Sequence, residues 1–227
     1  MRGVLSVPAL LLGCASAALA QVPHFPEMAG STFNVPVASL QEIRLTGTVL
    51  QQYDFSCGSA ALATLLTHHY GHPVSEQVVL QEMYAYGDQQ KIQKEGFSLL
   101  DMKRYLNTLG FTADGFQQPI DKLLEAHIPA VALVNESGYH HFVVLKGLDK
   151  ERVLIGDPAK GTRALTRKEF EAIWLNGLLF VIHNRMNQAL FNQPDDWRAA
   201  PQAPLIAGKL VNGMGGVDLR ALGPGDF

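Results

Sequence analysis

Residues 51–66, QQYDFSCGSAALATLL, decide the fold of this chain. From Cys57 onward small apolar residues recur at helical spacing without a proline, and Gly71 and Pro73 end the run. We therefore predict a buried helix from Cys57 to Tyr70. Cys57 stands at the helix N-terminus, where unpaired backbone N–H groups favour a thiolate and can lower the pKa of a thiol from its usual ~8.5. Because the thiolate is the nucleophilic form, the sequence predicts catalytic chemistry at Cys57.

The N-terminal residues predict export. Arg2, the apolar run Val4–Leu12 and the small residues Ala18-Leu19-Ala20 have the layout of a secretory signal, so we expect the mature chain to begin at Gln21. The alternative is a lipoprotein signal, Leu11-Leu12-Gly13-Cys14, in which Cys14 would be lipidated and become the first residue. The expected location is therefore the periplasm, with a lipid anchor through Cys14 as the alternative.

Composition narrows the class of protein and its partners. The 227 residues are 47% hydrophobic and 17% charged, which is typical of a globular chain long enough to bury one core. A net charge of -3 offers no basic surface for phosphates, so nucleic acid is not an expected partner. No segment of the mature chain reaches the ~20 apolar residues of a transmembrane helix. Cys57 would have no disulfide partner there, and the alternative to catalysis is a small buried hydrophobic side chain.

Beyond the first helix, helical patterns come first and strand patterns follow. The further predicted helices cover residues 76–84, 99–109 and 120–126. The predicted strands cover residues 130–134, 142–148, 153–155 and 178–182. Ser75 and Ser98 cap the first two of these helices, and a capping box that begins at Thr166 starts another helix, which reaches Trp174. This order predicts an α+β fold in which helices pack on one antiparallel sheet.

The same patterns divide the chain into segments. We predict a signal peptide (1–20), an N-terminal arm (21–45), one α+β domain (46–184) and a mostly irregular C-terminal tail (185–227). Residues 43–50 alternate like a strand, so an entry strand is expected before Cys57. The tail carries the pattern of a short helix near Trp197. Packing on the domain, contact with a partner and disorder all remain open for it.

A cysteine nucleophile needs a base, a group that orients the base, and donors for the developing oxyanion. His140 and His141 begin the apolar run HHFVVLKG, and Asp157 ends a strand where Pro158 cannot continue the ladder. Gln51 precedes Cys57 by a distance that a turn can fold back, so its amide can donate at the same oxyanion as the Cys57 N–H. Each residue also has an ordinary interpretation as a solvated strand residue, a structural histidine or a turn.

Four segments together carry a specific resemblance. Residues 51–58, KEGFSLL, HFVVLKG and IGDP, in that order, resemble the bacteriocin-processing cysteine peptidases, which remove double-glycine leader peptides. The resemblance covers about residues 46–183 and implies a papain-like fold. It implies Cys57 as the nucleophile and Gln51 as the oxyanion-hole glutamine. It also implies His141, which adjoins the FVV strand as His140 does not, as the general base, and Asp157 as the residue that orients it.

The chain also departs from the best-known members, which are fused to a membrane transporter with an ATPase domain. It resembles instead the stand-alone exported members, including those that accompany functional-amyloid (Fap) secretion systems. The resemblance implies a cysteine endopeptidase that cleaves a secreted polypeptide, after Gly-Gly in the family, with an outer-membrane secretion pore as a further expected partner. This chemistry needs no metal or organic cofactor. The alternatives are a non-catalytic module that binds an unfolded export substrate, and a thiol hydrolase such as a cell-wall amidase or a transglutaminase-like enzyme.

Two other clusters, one of histidines and one of methionine and tyrosines, also have possible functions. His68, His69 and His72 suggest a metal site, but Gly71 breaks the helix between them and no carboxylate is suitably placed, so a role at the helix end is favoured. The residues Met83, Tyr84 and Tyr86 are interpreted as core or as the wall of a cleft, with a substrate groove as the alternative.

Overall fold

The structure is a computed structural model that describes residues 38–201. The predicted signal peptide, most of the arm and the end of the tail lie outside the described residues. Among the helices that the structure describes, none combines the length and the apolar character that crossing a membrane requires.

The helices that follow Cys57 form one layer of the fold, as the sequence predicts. They are α2 (Cys57–Thr64), α3 (Glu76–Tyr86), α4 (Gln89–Glu95) and α5 (Leu99–Thr108). Ser75 caps α3 by accepting a hydrogen bond from the Val78 N–H, and Ser98 forms a capping box with Asp101 at the start of α5. Both predicted caps are confirmed.

The first of these helices is buried along its whole length. All residues of α2 are buried, and their small side chains let the helix pack closely against α3 and the sheet. The helix continues into a π-helical turn, Leu65–His69, and ends before Gly71, whose φ of 60° suits glycine. The prediction of a buried helix from Cys57 to Tyr70 is therefore confirmed.

The second layer is a six-stranded sheet with the strand order β1-β6-β2-β3-β4-β5. Its strands are β1 (Ala113–Gln117), β2 (Ala130–Glu136), β3 (Tyr139–Leu148), β4 (Arg152–Asp157), β5 (Gly161–Thr166) and β6 (Trp174–Ile182). Every neighbouring pair is antiparallel, which confirms the predicted α+β arrangement. One face packs on α2, α3 and α5, and the other on α6 (Asp121–Ala126) and α7 (Arg167–Ile173). Burial on both faces explains the unbroken apolar runs of β2, β3 and β4.

The antiparallel register gathers four strand ends at one edge of the sheet. Glu136 at the end of β2 pairs with Tyr139 at the start of β3, and Asp157 at the end of β4 pairs with Gly161 at the start of β5. Because β3 also pairs with β4, these two turns lie side by side. Polar residues far apart in the sequence therefore meet at this edge, next to the start of α2.

Some sequence expectations are wrong or incomplete. Residues 43–50 do not form an entry strand, because Leu40–Thr46 is a helix, α1, whose capping box joins Ser39 and Glu42. The sequence patterns also missed α4, β1 and β5. The two strands contain glycine and charged residues and are held as strands by their partners rather than by their own propensity.

The described part of the tail packs on the domain. The Leu190 N–H donates to the His69 carbonyl at 2.8 Å, and the Asn192 N–H donates to the Lys146 carbonyl at 2.8 Å. A short helix, α8 (Pro194–Trp197), follows where a helix near Trp197 was predicted. We call residues 186–200 the strap.

Candidate active site

Cys57 is the first residue of α2 and is 7% exposed. Ser56 precedes it but makes no side-chain cap, because its hydroxyl bonds the backbone N–H and carbonyl of Tyr53 at 3.1 and 3.0 Å. The N–H groups of Cys57 and Gly58 are therefore left to face the sulfur, and the Phe142 N–H reaches it from β3. The thiol lies between a helix N-terminus and the strand residue that follows His141.

The pKa of Cys57 differs in direction from the sequence expectation. Burial raises the pKa of the thiol, and the negative charge of Asp157 adds to this, while the three backbone N–H groups act in the opposite direction. The helix N-terminus alone therefore does not make the thiolate. Because the protonated thiol is favoured in the free protein, nucleophilic chemistry requires a base close to the sulfur.

The candidate base is His141, which directly precedes Phe142 on β3. His141 is 2% exposed, whereas His140 is exposed and lies on the opposite side of the strand. The Nε2 atom of His141 is 3.5 Å from Oδ2 of Asp157, at the outer limit of a hydrogen bond. Within the described residues, neither ring nitrogen makes a hydrogen bond of regular geometry. The imidazole is therefore buried beside a carboxylate with hydrogen-bonding capacity to spare.

Tyr139 covers this imidazole. Its ring stacks on that of His141 with 5.2 Å between the ring centroids, and its hydroxyl donates to the Asp54 carbonyl at 3.1 Å. The second contact ties the start of β3 to the loop that leads into α2. Tyr139 thus shields the ring from water and links the two elements that carry the thiol and the imidazole.

Asp157 is fully buried and strongly hydrogen-bonded. Its Oδ1 accepts from the Ala159 N–H at 2.9 Å, and its Oδ2 accepts from Nε and Nη2 of Arg163 at 3.1 and 2.8 Å. Burial alone would raise the pKa of Asp157, but the nearby His141 ring and the hydrogen bonds from Ala159 and Arg163 outweigh it and hold that pKa far below its usual range. The carboxylate is therefore ionised at neutral pH.

Gln51 lies at the same edge, but its amide is partly engaged. The backbone N–H of Gln51 donates to the Pro158 carbonyl at 3.0 Å, beside Asp157. Its Nε2 donates to the Tyr53 carbonyl at 3.0 Å, and its Oε1 is buried without a hydrogen-bond donor among the described residues. An amide nitrogen carries two hydrogens, so one remains for another acceptor.

Similarity to known proteins gives the family of the chain. Residues 46–186 match the peptidase C39 family. The chain belongs to this family. It is 41% identical over 181 residues to the "Probable functional amyloid protease FapD" of Pseudomonas fluorescens, covering 80% of this chain and 79% of that protein. It is 44% identical over 146 residues to the Pseudomonas aeruginosa protein of the same name, covering 64% of each chain. The C39 peptidase is thus a cysteine peptidase, and the resemblance read from its motifs is confirmed.

A solved structure extends the match to the fold. The peptidase domain of Streptococcus ComA, a bi-functional ABC transporter involved in a quorum-sensing pathway, superposes with a TM-score of 0.50 at 23% identity. The match covers 60% of this chain and 96% of that domain. The helical layer and antiparallel sheet of the C39 peptidase are therefore those of a known peptidase domain.

Three charged residues of the C39 peptidase site were missed from the sequence: Arg163, Lys160 and Glu136. Arg163 on β5 contacts both Asp157 and Glu136, and Lys160 contacts Glu136 from the turn between β4 and β5. Donor atoms of Glu136, His141 and Asp157 lie within 4.8 Å of one another, which is close enough to hold a metal ion. The Arg163 guanidinium already contacts both carboxylates. A positive charge of the chain itself therefore offsets their negative charge, as a metal ion would.

The remaining histidines do not form a metal site in the part of the chain that the structure describes. Nδ1 of the buried His69 lies 2.7 Å from the Leu190 carbonyl of the strap, and the His72 ring packs edge-on against Phe111. Met83 is buried in the core, as predicted. With Tyr86 it lines a cavity of about 240 Å³ between α3 and α5, which agrees with the expected cleft wall.

Proposed function

We propose that this C39 peptidase is an endopeptidase that cleaves a secreted polypeptide by a Cys57, His141 and Asp157 triad. The single observation that carries the proposal is the meeting of three elements. The Phe142 N–H contacts the Cys57 sulfur, and the adjacent residue of β3, His141, has its Nε2 atom 3.5 Å from the buried Asp157 carboxylate. This is the order of nucleophile, base and orienting group that thiol catalysis requires.

The geometry supports a definite assignment of the two ring nitrogens. Because Nε2 of His141 faces Asp157, Nδ1 is the atom that takes the proton from the Cys57 thiol. The ionised carboxylate then stabilises the imidazolium. The thiolate attacks the carbonyl carbon of the substrate, and the C–N bond breaks as the imidazolium gives its proton to the leaving amine. Water then hydrolyses the thioester, with His141 as the base, and regenerates the thiol.

The start of α2 supplies the donors for the oxyanion. The Cys57 and Gly58 N–H groups already face the sulfur, and no side-chain cap competes for them. We assign the second donor to the free hydrogen of Gln51 Nε2, whose backbone is bonded to Pro158 at the same edge. Fixed donors of this kind act where negative charge develops during attack.

The resemblance of the chain to peptidases that remove double-glycine leader peptides supports glycine before the scissile bond, with cleavage after Gly-Gly. The names of the Pseudomonas relatives favour a functional-amyloid component as substrate. The predicted export signal supports the periplasm as the location, and the resemblance to exported family members supports an outer-membrane secretion pore as a partner.

The proposal is tested by comparing strains that carry the wild-type chain or Cys57→Ser at the native locus. Terminal mass spectrometry of the exported proteins should show one or a few new N-termini, following small residues, that disappear with Cys57→Ser. His141→Ala should give the same loss, and His140→Ala, its exposed neighbour, should not. Unchanged termini in the Cys57→Ser strain would contradict the proposal and favour a binding module. Digestion of purified cell wall by the wild-type protein alone would favour an amidase.

A further inference from the structure

The triad stands beside a compact group of charges whose members come from different strands. Asp157 accepts two hydrogen bonds from Arg163 on a single oxygen, Oδ2, which is the oxygen that faces His141. The same Nη2 atom of Arg163 also contacts Glu136 at the end of β2, and Lys160 contacts Glu136 as well. Two donors on one oxygen restrict the carboxylate to a single orientation, and a bidentate guanidinium is suited to this.

We propose that Arg163 and Glu136 are positioning residues that hold the Asp157 carboxylate toward His141 and set the pH range in which the Cys57 thiol reacts. This inference rests on the proposed function, because it concerns the same site. Neither residue contacts the sulfur, so both act through the imidazole and the carboxylate.

The balance of charge around the imidazole gives each residue a definite effect. The titratable groups around His141 come from four strands: Asp157 on β4, Glu136 on β2, Arg163 on β5 and the stacked Tyr139 on β3. In the proposed triad the Cys57 thiol on α2 is a further titratable group. Lys160 adds a positive charge from the turn. At neutral pH the two carboxylates and the two cations offset one another, so His141 sits in a site of almost no net charge.

The protonation states support this balance. Burial alone would raise the pKa of Glu136, but its bonds to Lys160 and Arg163 outweigh it and lower that pKa. Burial alone would lower the pKa of Arg163, but its bonds to Glu136 and Asp157 outweigh it and raise that pKa. Glu136 and Arg163 are therefore both charged across the neutral range, and removing either charge leaves an uncompensated charge close to the ring.

The two residues should therefore shift the reaction in opposite directions. Without the Arg163 charge, the site has one more uncompensated negative charge, which favours the His141 imidazolium and opposes the Cys57 thiolate. The loss of a proton from each of these two groups therefore moves to higher pH. Without the Glu136 charge, the excess positive charge moves the loss of a proton from His141 and from Cys57 to lower pH. A role limited to holding the fold together would lower the yield or stability of both variants without opposite displacements.

The experiment measures the rate of Cys57 alkylation by iodoacetamide against pH, in the full mature chain. The pH of half-maximal rate should rise by about one unit in Arg163→Met and fall by about one unit in Glu136→Gln. Arg163→Lys, which keeps the charge but not the paired hydrogen bonds, should stay near the wild-type midpoint. Arg167→Met, which removes a similarly exposed arginine from its ion pair with Asp121, is the matched control and should not move the profile.

Two outcomes would overturn the inference: midpoints of Arg163→Met and Glu136→Gln that coincide with the wild type, or midpoints that move in the same direction. Thermal unfolding of each variant identifies any that fails to fold, and the Arg163→Lys and Glu136→Gln pair retains the test in that case. A His141→Ala profile that matches the wild type would instead contradict the triad itself. The two failures are thus distinguishable.

Discussion

Strand β3 carries two buried polar side chains with opposite surroundings. His141, near its start, is 2% exposed and has no regular hydrogen bond to either nitrogen among the described residues. Lys146, further along, is completely buried and saturated: its Nζ donates to the Gly47 carbonyl at 2.6 Å and to Thr162 Oγ1 at 3.3 Å, and pairs with Asp196 of the strap at 2.5 Å. A saturated buried group holds the fold together, whereas a buried group with open capacity is available for proton transfer.

The largest expected effect is on activity, and it distinguishes the buried His141 from its exposed neighbour His140. With a peptide that spans the cleavage site found by terminal mass spectrometry, His141→Ala should lower kcat/KM by about 10⁴-fold or more, because the proposed base for the Cys57 thiol is lost. His140→Ala, on the exposed side of the strand, should keep kcat/KM within a few-fold of the wild type. Equal losses in the two variants would remove the distinction between the buried and the exposed histidine.

The second prediction tests whether the Gln51 amide is a donor to the oxyanion. Gln51→Ala should lower kcat by about 10²–10³-fold, because one donor to the oxyanion is lost, while the free energy of unfolding changes little. Single-turnover kinetics and urea denaturation measure the two quantities. Gln52→Ala, at the exposed neighbouring position, is the matched control. If Gln51→Ala turns over normally, its amide serves only the Tyr53 carbonyl and the second donor must come from elsewhere.

Lys146 gives the reverse pattern. Lys146→Met keeps most of the apolar stem of the side chain but leaves Asp196 without its partner and removes the bonds to Gly47 and Thr162. We expect a loss of about 3 kcal/mol in the free energy of unfolding, measured by urea denaturation, with kcat/KM of the folded protein retained. Loss of activity without loss of stability would mean that Lys146 belongs to the active site rather than to the strap.

The strap end should also respond to acid through His69. Burial, and next the charge of Lys146, lower the pKa of His69 to about 4. A depressed pKa means that the unfolded chain binds the proton first, so stability is complete above the ordinary pKa of about 6.5 and is lost as the pH falls from there toward 4. His69→Gln should flatten this part of the pH dependence of unfolding, which amounts to about 3 kcal/mol at pH 4. The control is His140→Gln, at an exposed histidine. An unchanged slope in His69→Gln would assign the acid loss to other groups.

Local patterns predicted the parts of the molecule that depend on neighbouring residues in the chain. The buried helix at Cys57 and the caps at Ser75 and Ser98 follow from spacing and turn chemistry within a few residues. The segment 43–50 also carries a local helix signal. The capping box of Ser39 and Glu42 is a stronger indication of structure than a short alternation of apolar residues.

The rest depends on tertiary contacts that no local pattern contains. The pKa of Cys57 is set by how completely the folded chain removes water from the sulfur, so the helix N-terminus alone predicted the wrong direction. Arg163 and Glu136 come from strands that are brought together by the sheet register, and β5 has little strand character of its own. Charged residues in such positions look like solvated surface in the sequence until the fold pairs them.

The most direct test of the central claim is the rate at which iodoacetamide alkylates Cys57 at neutral pH, with the modified residue located by mass spectrometry. The account predicts a rapid reaction in the wild type that becomes at least tenfold slower in His141→Ala and stays unchanged in Lys146→Met, once both are shown to be folded. An equal alkylation rate in the wild type and His141→Ala would contradict it, because the buried thiol would then react, or fail to react, without help from the imidazole.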